Sequence, residues 1–148
     1  MTIRPYVFDK MKNKALIFGD VIALTIITII GFATHGETGL SFLPRMLTTL
    51  IPLLISWFLL APWFGLFDSQ ITFQARSLWR APLAMLLAAP LTTTLRAILL
   101  SESSIPIFTL VLGITSALGL LIWRALWVWI RRSKAAPTSS RRETRSES

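Results

Sequence analysis

Four long apolar stretches, joined by short polar links, dominate this 148-residue chain. At about 1.5 Å of helical rise per residue, each can cross the roughly 30 Å hydrocarbon core of a bilayer. Backbone N–H and C=O groups in hydrocarbon need partners within the protein, and apolar runs without period-2 alternation find them as helices. The predicted spans cover about residues 15–34, 43–66, 78–100 and 105–130.

The composition favours lipid over water as the solvent of this chain. Hydrophobic residues make up 53% of the sequence and charged residues 15%, against about 25% charged residues in an ordinary soluble domain. We therefore predict an all-α fold, an integral membrane four-helix bundle that lies in the cell membrane as a multi-pass protein. The chain has no cysteine, and His35 is its single histidine. These counts argue against haem and zinc sites, and we expect no cofactor, no metal and no catalytic residue.

Most of the 15 Lys and Arg residues lie on one side of the predicted bundle, before the first span, between the second and third, and after the fourth. Because cytoplasmic loops carry an excess of Lys and Arg, this distribution predicts that both the N- and the C-terminus are cytoplasmic. It also explains the net charge of +8 without nucleic acid, since anionic lipid head groups on the cytoplasmic side are the simpler partner. A homo-oligomer and a membrane-protein partner both stay open.

This topology divides the chain into three parts. Residues 1–14 are a basic cytoplasmic N-terminal segment, and residues 15–131 form the four-transmembrane-helix domain. Residues 132–148, in which Ser, Thr, Arg and Glu predominate, are predicted to be a disordered basic cytoplasmic tail.

Two ionisable residues lie within the predicted spans at similar depth from the cytoplasmic side, Asp20 in the first and Arg124 in the fourth. Charged groups at membrane depth cost roughly 2.5–3.5 kcal/mol each on insertion scales, so each needs a reason to be there. We interpret them as a candidate intramembrane ion pair that neutralises both charges. Two alternatives stay open: Arg124 extends to the head groups while Asp20 accepts bonds from water or backbone, or Asp20 couples proton or ion movement.

A second polar set lies towards the predicted outer side and comprises His35, Glu37, Thr92, Thr93 and Arg96. As a candidate outer polar site it would bind a small polar or anionic ligand, with Arg96 on the anion and His35 or Glu37 as a titrating partner. The structural alternative is a salt bridge from Glu37 to Arg96 or Arg45, with the threonines serving as contacts between helices.

Two prolines fall in the middle of predicted spans, Pro52 in the second and Pro90 in the third. Each removes a backbone hydrogen bond and tends to kink its helix, so both are candidate helix kinks. Paired kinks at one depth can open a cavity or act as hinges. The alternative is that neighbouring helices and Ser or Thr side chains satisfy the freed carbonyls.

Four short motifs carry a resemblance to a known family: Gly19-Asp20, Thr34-His35-Gly36-Glu37, Leu95-Arg96 and Trp123-Arg124. With this Gly-Asp, His-Gly-Glu, Leu-Arg and Trp-Arg pattern, about residues 15–131 resemble a family of uncharacterised four-helix integral membrane proteins, known as a domain of unknown function. The resemblance implies a membrane location and four helices, and it implies no activity. Family members typically have an arginine pair shortly before the histidine, where this chain has Phe32 and Ala33.

No Ser–His–Asp order, metal cluster or pair of carboxylates indicates an enzyme. The sequence favours a non-enzymatic membrane protein of unknown biochemical function: a subunit, an assembly factor or a small-ligand-binding protein. The alternative is a small oligomeric transporter or channel, an architectural analogy with four-helix exporters.

Overall fold

The structure is a computed structural model that describes residues 4–37, 39–68, 74–103 and 105–135, with residues 4–13 and 134–135 described by their backbone alone. Within these residues the chain forms four long α-helices and no strand, which confirms the all-α prediction. The helices are α1 (Arg4–Thr34), α2 (Leu43–Leu60), α3 (Arg80–Leu100) and α4 (Pro106–Ala135). Of the predicted disordered tail, residues 136–148 lie outside the described residues.

Short 3₁₀ helices border α2 and α3, at Leu40–Phe42, Ala61–Phe64 and Ala75–Ser77. The second predicted span, residues 43–66, is therefore not one α-helix to its end. Its α-helical part ends at Leu60 and is followed by the 3₁₀ turn that contains Pro62. The chain leaves this turn at Gly65, which has a φ of 66°. A positive φ favours glycine, which has no Cβ to clash with the backbone.

The part of the chain that the structure describes contains four helical segments that are long and apolar enough to cross a membrane: Lys14–Thr34, Leu40–Phe64, Ala75–Leu100 and Pro106–Ser133. Their outward faces carry large apolar side chains; Phe18, Ile107 and Ile122 are 66%, 65% and 68% exposed. In water, contiguous apolar surface of this extent would drive aggregation, whereas hydrocarbon solvates it. The chain is a multi-pass membrane protein.

The helices pack in a ring, in which α1 and α3 each contact both α2 and α4. Apolar side chains fill the centre, among them Leu24, Leu53, Trp57 and Leu120, all 0% exposed. One end of the bundle holds residues 61–68 and 74–79, together with the start of the first span and the end of α4. We call it the basic end because it carries four arginines, Arg76, Arg80, Arg131 and Arg132. The other, which holds residues 35–37, 39–42 and 101–103, is the far end.

Small residues allow α4 to approach its neighbours closely. A Cβ on Gly113 would lie 2.9 Å from the Cβ of Ala89 in α3, and a Cβ on Gly119 would overlap Ile27 in α1. Close helix packing through glycine is typical of membrane bundles, where van der Waals contact drives association. It brings α1 and α4 near enough for side chains on both to meet.

Candidate functional site

The bundle contains a buried ion pair close to its basic end. Asp20 of α1 is 0% exposed and Arg124 of α4 is 3% exposed. The guanidinium donates through Nη2 to Oδ2 of Asp20 at 2.5 Å and through Nε to Oδ1 at 3.3 Å, so that both carboxylate oxygens accept a bond. This bidentate geometry fixes direction as well as charge. The structure thus brings together the two residues of the candidate intramembrane ion pair.

Two further groups form hydrogen bonds with this pair. The indole Nε1 of Trp57, on α2, donates to Oδ2 of Asp20 at 3.3 Å. The remaining guanidinium nitrogen of Arg124, Nη1, donates to the carbonyl of Leu66 at 3.0 Å, in the turn that follows α2. The guanidinium carbon also lies 5.5 Å from the centre of the Trp57 ring, within the range of a cation–π interaction.

We refer to Asp20, Trp57, Leu66 and Arg124 as the buried cluster. It joins α1, α2, α4 and the 61–68 turn through bonds that use both oxygens of the acid and all three nitrogens of the base. A buried charge pair is tolerated only when such additional bonds offset the loss of water. Removing one partner would leave the other charge buried alone, which costs about 3–5 kcal/mol.

Close packing encloses this cluster from the side of α4. Gly19 precedes Asp20, and a Cβ at its position would overlap the indole of Trp123, the residue before Arg124. The absence of a side chain at residue 19 therefore lets the Trp123 ring lie directly on the α1 backbone. The rings of Trp123 and Trp127 lie next to each other along α4, with centroids 5.6 Å apart and planes tilted by 46°.

At the far end, Glu37 forms its salt bridge with Arg45, at 3.0 Å between Oε1 and Nη1. The side chains are 26% and 54% exposed, so solvent reaches both. This pair connects the turn after α1 to the first turns of α2. Arg96 and Arg45 were the two predicted salt-bridge partners of Glu37, and the structure pairs Glu37 with Arg45.

Arg96 bonds to other helices instead. Its Nε donates to Oγ1 of Thr49 on α2 at 3.2 Å, and Oγ1 of Thr49 donates in turn to the carbonyl of Arg45. The guanidinium carbon lies 4.9 Å from the ring centre of Phe108 on α4. Arg96 thus links α2, α3 and α4 near the far end.

The threonines of the candidate outer polar site donate their hydroxyl protons to their own helix. Thr92 bonds to the carbonyl of Ala88 at 2.9 Å, and Thr93 bonds to the carbonyls of Ala89 and Pro90. Oγ1 of Thr93 also accepts a bond of 2.9 Å from Thr109 of α4. These side chains act as contacts within and between helices.

The five residues of the candidate outer polar site are not joined to one another by hydrogen bonds within the described residues: Glu37, Arg96, Thr92 and Thr93 each bond elsewhere, and His35 is exposed. In the described part of the chain, no three His, Asp or Glu residues are placed to hold a metal ion.

The two candidate helix kinks face different surroundings. Pro52 is buried in the bundle and Pro90 is exposed on its outside. Both α2 and α3 continue as α-helices through their prolines. The two residues therefore do not line a common space inside the bundle.

Trp57 and the Leu66 carbonyl are the members of the buried cluster that sequence reasoning missed. A signal was present: four tryptophans, Trp63, Trp79, Trp127 and Trp129, fall near the predicted membrane boundary, whereas Trp57 and Trp123 lie deeper. A tryptophan below the interface needs a partner for its N–H. Trp57 finds that partner in Asp20, and the ring of Trp123 packs on the neighbouring Gly19.

A sequence model of one protein family, described as "Protein of unknown function (DUF3054)", matches residues 17–127, which contain the whole buried cluster. No curated protein and no solved structure matches the chain.

Proposed function

This chain belongs to the DUF3054 family, a family of proteins of unknown function, and from the geometry of its bundle we propose that it is a non-enzymatic membrane protein, a subunit or assembly factor of a larger membrane complex. One observation supports this role above all others: Asp20, the single carboxylate within the four spans, is fully buried and bonded through both oxygens.

The alternative role, a small oligomeric transporter or channel, needs an ionisable group that alternates between solvent and substrate. Asp20 is bonded to a guanidinium and an indole from two other helices, so releasing it requires separating α1 from α2 and α4. At the far end, Arg96 is likewise bonded between helices. This arrangement favours a bundle that stays closed and presents its surface to a partner.

The test compares Asp20→Asn with the wild type in liposomes that carry an imposed pH gradient and a pH-sensitive dye, and in unfolding titrations. We expect the wild type to dissipate the gradient no faster than protein-free liposomes. The variant should unfold at lower denaturant, and Asp20→Asn with Arg124→Gln should recover part of the loss. A wild type that dissipates the gradient, together with a stable Asp20→Asn that does not, would establish the transporter instead.

The complex itself is tested by extraction of the tagged full-length chain in mild detergent. A subunit should be recovered with a second membrane protein in a constant molar ratio across independent preparations, and this ratio should survive chemical cross-linking in the membrane before extraction. Recovery of the chain only by itself would contradict the proposal. In parallel, thermal stability against small anions, with Arg96→Gln as control, should show no shift, since Arg96 is engaged within the bundle.

The proposal places the chain in the cell membrane with both termini in the cytoplasm, because the basic end carries most of the Lys and Arg residues. The chain has no cysteine, so single-cysteine variants give a direct test with a membrane-impermeant maleimide. Ser103→Cys, at the far end, should react in intact cells. Ser133→Cys, at the basic end, should react only after permeabilisation, and the reverse pattern would overturn the orientation.

A further inference from the structure

A surface groove of about 410 Å³ lies at the basic end, between the end of the second span and the start of α3. Its lining consists of Pro62, Trp63, Phe64, Gly65, Trp79 and Arg80. The groove is separate from the buried cluster, but the turn that forms one wall is tied to it, because Arg124 donates to the Leu66 carbonyl. We call it the basic-end groove.

The wall formed by residues 61–66 is fixed by its own hydrogen bonds. The N–H of Gly65 donates to the carbonyl of Pro62 at 2.9 Å, and the N–H of Leu66 donates to the carbonyl of Ala61 at 3.1 Å. Leu66 is 3% exposed, which anchors the turn in the bundle. The groove is thus shaped before any ligand arrives.

Arg80 supplies the charge of the groove. Its Nη1 donates to the carbonyl of Phe64 at 3.4 Å, and its guanidinium carbon lies 6.0 Å from the Trp79 ring centre. Arg80 lines the groove, and its bond to Phe64 uses one of the five N–H donors of a guanidinium. The others can bind a phosphate, whose oxygens match the guanidinium fork.

Two tryptophans flank this charge with their rings open to the surroundings. Trp63 is 85% exposed and Trp79 is 58% exposed. They lie at the edges of the segments Leu40–Phe64 and Ala75–Leu100, both able to cross a membrane. Exposed indoles at the ends of spans settle at the level of the lipid head groups, where one face is apolar and the N–H is solvated.

We propose that the basic-end groove binds the phosphate of an anionic lipid, with Arg80 on the phosphate and with Trp63 and Trp79 against the glycerol and the first acyl carbons. The adjoining apolar spans and the two exposed indoles favour a lipid over a soluble phosphate, which has no apolar part for them to cover. The inference goes beyond the proposed function, since it applies whether the chain is a subunit, a transporter or neither.

The experiment measures lipid binding to the full chain in neutral detergent by native mass spectrometry. The probes are short-chain phosphatidylglycerol, phosphatidylcholine with the same acyl chains, and inorganic phosphate. We expect phosphatidylglycerol to bind at least about fivefold more tightly than phosphatidylcholine, as one basic residue near a membrane surface provides. Arg80→Gln should weaken phosphatidylglycerol binding about fivefold, to about the affinity of phosphatidylcholine. Phosphatidylcholine binding should change less, because the choline cation already offsets the charge of its phosphate.

The matched control is Arg132→Gln, which removes the same charge from the same end but does not line the groove. It should change phosphatidylglycerol binding by less than about twofold if the site is local rather than a diffuse field. Trp79→Leu keeps the charge and should also weaken binding, and Arg80→Lys should give an intermediate affinity because it lacks the fork. Circular dichroism of each variant identifies any that fail to fold.

Three results would overturn the proposal. Equal losses in Arg80→Gln and Arg132→Gln would mean that charge alone attracts the lipid. Equal binding of phosphatidylcholine would mean that the head group is not recognised. Full displacement of phosphatidylglycerol by millimolar inorganic phosphate would indicate a site for a soluble anion.

Discussion

The two ends of the bundle each contain a carboxylate paired with a guanidinium, in opposite surroundings. At the basic end, the side chains of Asp20 and Arg124 are 0% and 4% exposed and have further partners on α2 and in the turn after it. At the far end, Glu37 and Arg45 form one bond of 3.0 Å and are both partly exposed. A carboxylate–guanidinium pair therefore joins several elements at the basic end, whereas at the far end it joins only two neighbouring segments.

The difference shows that burial, and not charge, decides how much such a pair matters. An exposed ion pair is screened by water and contributes about 0–1 kcal/mol. A buried pair gains little over a well-packed apolar pair, but it becomes indispensable once present, since neither charge can remain alone. The buried cluster therefore specifies how α1, α2 and α4 meet, and the far-end pair only restrains a turn.

Arg124→Gln tests this comparison most directly, and we expect it to lower the free energy of unfolding more than any other substitution. The Asp20 carboxylate would remain buried beside the Trp57 indole without its counter-charge. Its short side chain cannot reach the head groups, so the bundle should lose about 3–5 kcal/mol of unfolding free energy. Reversible unfolding of the full chain in mixed micelles, followed by circular dichroism, measures the loss.

The controls for this prediction follow from side-chain length. Asp20→Asn should cost less than Arg124→Gln, because the long arginine side chain can extend towards the basic end. Replacing both residues with leucine removes both charges and should cost less than Arg124→Gln. Some loss should remain, because the Trp57 N–H and the Leu66 carbonyl lose their partners. Equal losses in Arg124→Gln and Glu37→Gln would show that burial does not distinguish the two ends.

Much of this architecture could be predicted from the sequence, because hydrocarbon leaves the backbone so few choices. Four apolar runs had to become helices, and the described residues contain four helices that are long and apolar enough to cross a membrane. The structure also brings Asp20 and Arg124 together. Their proximity could be predicted because counting residues from the end of each span gives the depth of each side chain in the membrane.

What could not be predicted is how each helix is rotated about its own axis. The five residues of the candidate outer polar site were grouped by depth alone, yet Arg96 bonds to Thr49, and Glu37 bonds to Arg45. An apolar helix in lipid has no polar face to indicate which side turns inward. For the same reason the place of Trp57 in the buried cluster was not visible, nor was the carbonyl of Leu66.

Two glycine substitutions in α1 extend the comparison, one beside the buried cluster and one towards the far end. Gly19→Leu would drive a side chain into the Trp123 ring beside the buried cluster, and overpacking of this kind costs about 3 kcal/mol. At Gly31, towards the far end, a Cβ would meet no atom within 4 Å, so Gly31→Leu should be neutral or slightly stabilising, because leucine is the better helix former. The same unfolding titrations measure both, and a larger loss at Gly31 would contradict the close packing of the basic end.

Trp57→Phe tests the contribution of α2 to the buried cluster, with a smaller expected effect. Phenylalanine lacks the nitrogen-containing ring of the indole, so the bond from Nε1 to Asp20 is lost and a small cavity is left at a site that is 0% exposed. About 2–3 kcal/mol should disappear, from the hydrogen bond to a charged group and the cavity together. Trp129→Phe is the matched control, since Trp129 is 66% exposed and should change stability little. If both substitutions have the same effect, the indole bond contributes nothing specific.

Glu37→Gln is expected to have the smallest effect, and it completes the comparison from the far end. The substitution keeps the shape of the side chain and removes its charge, so the salt bridge with Arg45 becomes at most a neutral hydrogen bond. Because solvent reaches both side chains, the loss should be less than about 1 kcal/mol and should vanish at molar salt, where the Debye length is about 3 Å.

The loss in Arg124→Gln should persist in the same salt, because the buried pair is screened far less. Unfolding midpoints at low and high salt for both variants therefore separate the two ends by a property that depends on burial alone. A salt-insensitive loss in Glu37→Gln would mean that the far-end pair also holds helices together.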